Sequence, residues 1–151
     1  MSDTSGSQRD SGQSVGPPGF VEALLAVPDV PLSRLARYTF WNGVFYMGLG
    51  SAMFFAPASV WSAALATPAD QVGTGRLLGM SVGVIGWFYA MGARTGATSF
   101  GLATVVDRAL VPFLLGGLVL TGQVGVQQVA GLGIVDPLLA VGAFLLWRAD
   151  R

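Results

Sequence analysis

The chain has 151 residues, of which 52% are hydrophobic and 11% charged, with a mean hydropathy of +0.62; an average soluble domain carries about 25% charged residues. That length fits one domain, but not an ordinary water-soluble one. There is no Cys and no His, and all eight basic residues are Arg. These absences exclude disulfides, thiol redox chemistry, Cys or His metal sites, Ser-His and Cys-His nucleophiles, and Lys general-base or Schiff-base chemistry. Zero net charge gives no reason to expect a nucleic-acid partner.

Residues 1–20 are rich in Ser, Gly, Gln and Pro. Such a segment cannot bury enough apolar surface to offset its ordering entropy, so it reads as a disordered tail. It has no apolar stretch behind a basic start and so is not a secretory signal peptide. Residues 21–37 read as a linker or a short interfacial helix, with an apolar patch from Val21 to Val27 followed by Pro28, Pro31, Arg34 and Arg37.

The first long apolar run, Tyr38 to Ala56, carries no charge and is closed by Pro57. Its length is close to the roughly 20 residues that cross a bilayer core, and Tyr38 and Trp41 at its start suit an interfacial aromatic belt. Residues 58–66 are expected to lie along the membrane surface. The second run, Leu77 to Ala93, lies between Arg76 and Arg94. The third extends over about 102–126, with Asp107 and Arg108 near its start and Pro112 one turn later; the fourth covers about 129–147 and contains Asp136 and Pro137. Pro137 is expected near a helix start, where a missing N–H has little consequence.

The fold expected is therefore all-α, a four-helix transmembrane bundle behind a disordered N-terminal tail. With the N-terminus inside, Arg9, Arg34, Arg37, Arg94, Arg108, Arg148 and Arg151 fall on the inner side and only Arg76 on the outer. That bias follows the positive-inside rule and places both termini in the cytoplasm and the protein in the cell membrane.

Ionisable groups inside spans are functional candidates by default. Arg76 opens span two and Asp136 lies near the start of span four, so both are expected at the outer face, within reach of an ion pair. Asp107 and Arg108 are expected to open span three at the inner face, near Arg94, Arg148 or Asp150. The plainer reading is that these charges reach water or fix helix register. In span two, Gly79, Gly83, Gly86 and Ala90 follow one another by 4, 3 and 4 residues. They form a narrow small-residue stripe of the kind that lets helix backbones approach in lipid. Packing within one bundle is the simpler use of that stripe; a homodimer seam is the sharper one.

Several anchors together resemble a group of small, mostly uncharacterised bacterial integral membrane proteins, loosely DoxX-like. They are Phe55-Ala56-Pro57 after span one, Gly75-Arg76-Leu77-Leu78-Gly79 opening span two, and Gly86, Tyr89 and Ala93-Arg94 towards its end. Val106-Asp107-Arg108 opens span three, and Asp136, Ala140 and Leu145 follow in span four. The resemblance covers roughly residues 38–148. It implies a four-helix bundle with the anchors at helix ends, and no settled activity. Some DoxX relatives are associated with thiosulfate oxidation and quinone reduction or with oxidant-defence complexes, but the lack of Cys argues against direct thiol handling here.

No residue pattern points to a catalytic centre, a cofactor or a metal. The leading reading is a non-enzymatic structural or accessory helical bundle in the lipid bilayer that self-associates or supports a membrane partner protein. The second is a small transporter or channel subunit using the embedded charges. The third is an enzyme acting on a lipid or quinone, with Tyr46 or Tyr89 supplying a phenol.

Overall fold

A computed structural model describes residues 31–150, and every described regular element is helical. The tail and most of the linker (residues 1–30) lie outside the described residues. The helices are α1 (Arg34–Phe55), α2 (Ala58–Leu65), α3 (Val72–Arg94), α4 (Thr98–Leu120) and α5 (Val126–Ala149), with a single 3-10 turn, Ala69–Gln71, before α3.

Local chemistry sets several of the ends. The Ser33 hydroxyl accepts from the Ala36 N–H at 3.1 Å and so caps α1, satisfying one of the donors every helix start leaves over. Helix α1 therefore begins four residues ahead of Tyr38 and takes in Arg34 and Arg37. Pro57 interrupts the run, and α2 departs from α1 at 113°. Gly122, at φ +71°, takes the left-handed conformation that ends α4. The third apolar run is thus split near Thr121, and its last residues become a turn and the start of α5. At that start the Gln128 side chain accepts from the Gly125 N–H at 2.8 Å.

The long helices form two pairs. Helices α1 and α3 run antiparallel with their backbones in close approach. A Cβ placed on Gly86 would lie 2.5 Å from the Met47 nitrogen, and one on Gly43 would lie 2.7 Å from the Gly86 carbonyl. One turn pair further along, a Cβ on Gly50 would lie 2.5 Å from the Gly79 carbonyl. The Gly79, Gly83, Gly86 and Ala90 stripe thus faces α1 of its own chain. Helices α4 and α5 form a hairpin. Tyr38 joins the two pairs at one end: its ring packs on Gly142 and its hydroxyl donates to the Leu139 carbonyl at 3.4 Å. That contact takes Tyr38 out of the exposed belt expected for it, whereas Trp41 is 66% exposed.

Residues 69–94, 98–120 and 126–149 are each long and apolar enough to cross a membrane, with mean hydropathies of 1.2, 1.7 and 2.1. Large apolar side chains cover much of the outer surface, among them Phe55, Phe113 and Leu120, which is unusual for a protein surrounded by water. Together these features suggest a membrane protein. Helix α1 reaches the same standard only when joined to α2 as one bent segment, so length and composition alone give three spans, or four with that segment. The physical reason is that α1 carries Thr39, Asn42 and Tyr46 among its apolar residues, and all three are buried against the other helices.

Candidate functional site

Thr39, Asn42 and Tyr46 follow one another by three and four residues, which places them on one face of α1. That face meets the other long helices near the middle of the molecule. The Tyr46 hydroxyl, from α1, donates to Oδ1 of Asp136 on α5. The Tyr89 hydroxyl, from α3, donates to Oδ2 of Asp107 on α4. The two rings meet edge to face, with centroids 5.8 Å apart and planes at 87°. Arg108, from α4, is 1% exposed. Its guanidinium carbon lies 4.6 Å from the Tyr89 ring centroid and 5.6 Å from that of Tyr46. The result is a line of five residues, Asp107, Tyr89, Arg108, Tyr46 and Asp136, drawn from all four long helices.

The energetics follow from burial. A desolvated cation over an aromatic face gains about 2 kcal/mol or more, and a guanidinium tolerates this setting better than an ammonium because it is less strongly hydrated. Among the described residues, Nε, Nη1 and Nη2 of Arg108 find no hydrogen-bond partner, and neither do Thr39 Oγ1 and Asn42 Nδ2. Arg108 is held by ring faces and by the field of two carboxylates. The formal charges in the line are one positive and two negative. The two acids also differ in setting: Asp136 is 7% exposed, whereas Asp107 lies at the surface beside Tyr89.

Pro112 lies one turn beyond Arg108. Having no N–H, it leaves the Arg108 carbonyl without its usual helical partner, which adds an acceptor close to the line. Pro137 does the same for the Gly133 carbonyl, inside α5 rather than near its start.

The depth of the charges corrects the expectation drawn from the apolar runs. Helix α4 starts at Thr98 and α5 at Val126. At about 1.5 Å per residue, Arg108 and Asp136 each lie about 15 Å inside their helices. Arg76 lies only about 6 Å inside α3 by the same measure. It does not meet Asp136; its Nη2 donates to the Ala56 carbonyl at 3.4 Å, at the break between α1 and α2. Asp107 and Arg108 do not sit at the end holding Asp150, which instead pairs with Arg34 at 3.8 Å. The structure therefore gathers Asp107, Arg108 and Asp136 and leaves Arg76 apart.

The polar residues of α1 and the bridging role of Tyr46 and Tyr89 were not apparent from the charge pattern. The available signal was the spacing of Thr39, Asn42 and Tyr46 along one face of an otherwise apolar run. Among the described residues, no group of three or more Asp or Glu is placed to hold a metal ion. No family model, curated protein or solved structure matches the chain.

Proposed function

We propose that this is a four-span protein of the cell membrane, a non-enzymatic accessory bundle that docks a partner protein within the bilayer through the Asp107 face of α4. In this reading the bent segment α1–α2 is the first span, its polar residues shielded by the other helices. Both termini lie on the cytoplasmic side. Arg34, Arg37, Arg94 and Arg148 lie at helix ends on that side and Arg76 at the opposite one; Arg108 leaves the tally because it is buried midway.

The observation that carries the reading is the position of Asp107. It lies with Ala103, Leu110 and Leu114 on one exposed strip of α4, otherwise apolar, well inside a helix that is lipid-facing in this reading. A carboxylate at the centre of a span costs about 2.5–3.5 kcal/mol on insertion scales. The cost falls if a second protein covers the strip and supplies a donor. Tyr46, Arg108 and Asp136 act in this reading as a lock between the two helix pairs, which accounts for buried charge without catalysis.

The chain lacks Cys, so a single introduced thiol reports one place. Leu110→Cys, on the Asp107 strip, should crosslink in native membranes to one defined protein, or to a second copy of the chain. Leu138→Cys, exposed on α5, should not, and Asp107→Leu should weaken the Leu110→Cys product. Equal or absent crosslinking at the two positions would remove the reading.

The mid-helix depth of the charged line favours one alternative, a transporter or channel subunit in which the excess negative charge accepts a proton or cation. Flux into proteoliposomes separates the two. Transport lost in Asp136→Asn supports the alternative, and equal flux in both proteins removes Asp136 as a coupling site.

A further inference from the structure

The α4–α5 hairpin carries a proline inside each of its helices, Pro112 and Pro137, whereas α1 and α3 carry none. Each proline deletes one helical hydrogen bond, to the Arg108 and the Gly133 carbonyl, and helices bend most readily where that ladder is broken. The two breaks lie at one level. At about 1.5 Å per residue, residues 108–112 are about 12 to 18 Å from the end of α4, and residues 133–137 are about 10 to 17 Å from the start of α5. Those two ends meet at one turn. The prolines therefore divide the hairpin into a base half and a turn half.

The two halves are held differently. The base half is fastened to the α1–α3 pair by Tyr38 on Gly142 and the Leu139 carbonyl, by Leu35 against Gly101 and by Phe100 against Gly92. The turn half instead borders a cavity of about 690 Å³. Leu49 of α1 and Leu78 of α3 line one wall, and Leu132 and Val135 of α5 line the other. Among the described residues, nothing lies within 4 Å of a Cβ added to Gly116, Gly117 or Gly131, so these glycines of the turn half have room to move. Apolar walls held apart forgo the dispersion contacts of close packing, and approach of the walls recovers them.

The polar line sits at the fulcrum. Arg108 marks the base end of the α4 break, and Asp136 lies within the α5 break, where the Tyr46 hydroxyl of α1 donates to it. The line thus pins the level of the breaks to α1 and leaves the turn half free beyond it. We infer that the turn half of the hairpin, residues 112–137, is a lid that swings about Pro112 and Pro137 and closes the cavity against α1 and α3. A bend of about 20°, the scale of a helix kink, carries a lid about 18 Å long through about 6 Å at its tip. The open cavity is then one of two states of the bundle, the one in which it reaches Val135, the neighbour of Asp136. This inference goes beyond the docking role proposed for the Asp107 face and does not depend on it.

The test uses the full-length protein in lipid nanodiscs, with spin labels on introduced cysteines, since the chain has none of its own. Ala69→Cys with Gln127→Cys spans the gap between the start of α3 and the turn half. Phe88→Cys with Ala149→Cys spans α3 and the base half. All four positions are exposed. Pulsed dipolar spectroscopy should resolve two distances for the first pair, about 6 Å apart, and one for the second. Pro112→Ala combined with Pro137→Ala restores both backbone donors and should leave the first pair with a single distance. Leu132→Trp, which props the walls apart, should abolish the shorter distance with both prolines in place. A single narrow distance for the first pair in the parent would overturn the lid, as would equal spread in both pairs, which means that the whole hairpin rocks. Two distances that persist without the prolines, or a shorter distance that survives Leu132→Trp, would overturn the hinge and the closure respectively. Because Leu132→Trp keeps both prolines, loss of fold in the double-proline variant leaves it decisive.

Discussion

The two helix pairs are both rich in glycine, yet they use it differently. Between α1 and α3, glycine faces glycine: Gly43 and Gly50 on one helix meet Gly86 and the Gly79–Gly83 turn on the other, so closely that a single methyl group would strike backbone. In the α4–α5 hairpin, Gly116, Gly117 and Gly131 face open space, and Gly133 approaches only the Leu115 side chain, at 4.0 Å. A small residue brings backbones together only when its partner across the interface is small as well. The α1–α3 pair is therefore a rigid unit set by backbone contact. The hairpin is attached to it chiefly through Tyr38, Phe100 against Gly92, and the central line of charge.

The largest effect should come from breaking the rigid pair. Gly86→Leu places a branched side chain where Met47 and Gly43 backbone already lie, and neither can yield without separating α1 from α3. We expect no folded monodisperse protein in detergent. Gly117→Leu provides the contrast. It adds a better helix former to a position with nothing within 4 Å of its Cβ, and its melting temperature should equal or exceed the parent's. Equal losses in the two variants would mean that the pairs are held in the same way.

Arg108 ranks next, because it joins one pair to the other. Arg108→Met keeps an unbranched stem but removes the guanidinium and its charge between two carboxylates. Breaking a buried charge array by removing one member costs about 3–5 kcal/mol, so a large fall in thermal stability is expected. The loss should appear first as separation of α4–α5 from α1–α3, seen as rising hydrogen exchange at the α4 amides while the α1–α3 amides stay protected. Uniform exchange through all four long helices would show that the pairs do not unfold separately.

The α1–α3 unit was the more legible half of the molecule in its sequence. Gly79, Gly83, Gly86 and Ala90 show their stripe by spacing alone, and the turn at Thr67-Pro68 brings α3 back beside α1. The polar line was less legible, for two physical reasons. A run of apolar residues does not mark where its helix starts: Ala97 and Thr98 look like a turn, yet α4 begins there and carries Asp107 and Arg108 almost three turns inward. Hydropathy also does not say which acid a tyrosine hydroxyl will meet, so Tyr46 and Tyr89 read only as possible phenols and not as the donors that engage Asp136 and Asp107. The expected Arg76–Asp136 pair failed on the first of these reasons. Both residues were placed by distance from the edge of an apolar run, and only Arg76 lies near its helix start.

A smaller effect should sharpen the same contrast at the level of one bond. Tyr46→Phe removes the hydroxyl that reaches Asp136 across the pairs, and Asp136→Asn retains an acceptor. Side-chain hydrogen bonds between membrane helices average about 0.6 kcal/mol and reach about 1.7 kcal/mol, so each variant should melt slightly lower than the parent. The double variant should lose less than the sum, because the two groups share one bond. Strict additivity would show that the Tyr46 hydroxyl and Asp136 contribute independently.

Arg76 should give the smallest effect of all. Its guanidinium makes one long contact with a carbonyl at the α1–α2 break, at the end of the molecule where α3 begins, and exposed side chains with such contacts usually contribute within about 0.5 kcal/mol. Arg76→Ala should leave melting nearly unchanged, and the double variant with Asp136→Asn should show no coupling, since the two residues lie at different depths on different helix pairs. Its consequence is in orientation. Among the described residues Arg76 is the one arginine at its end of the long helices, so in the proposed topology removing it strengthens the cytoplasmic bias of the rest. Cysteine labelling of a site in the α2–α3 connection, from outside intact cells, should therefore be as complete in Arg76→Ala as in the parent. If the variant instead inserts in both orientations, Arg76 anchors its end of α3, and the positive-inside pattern does not account for the topology.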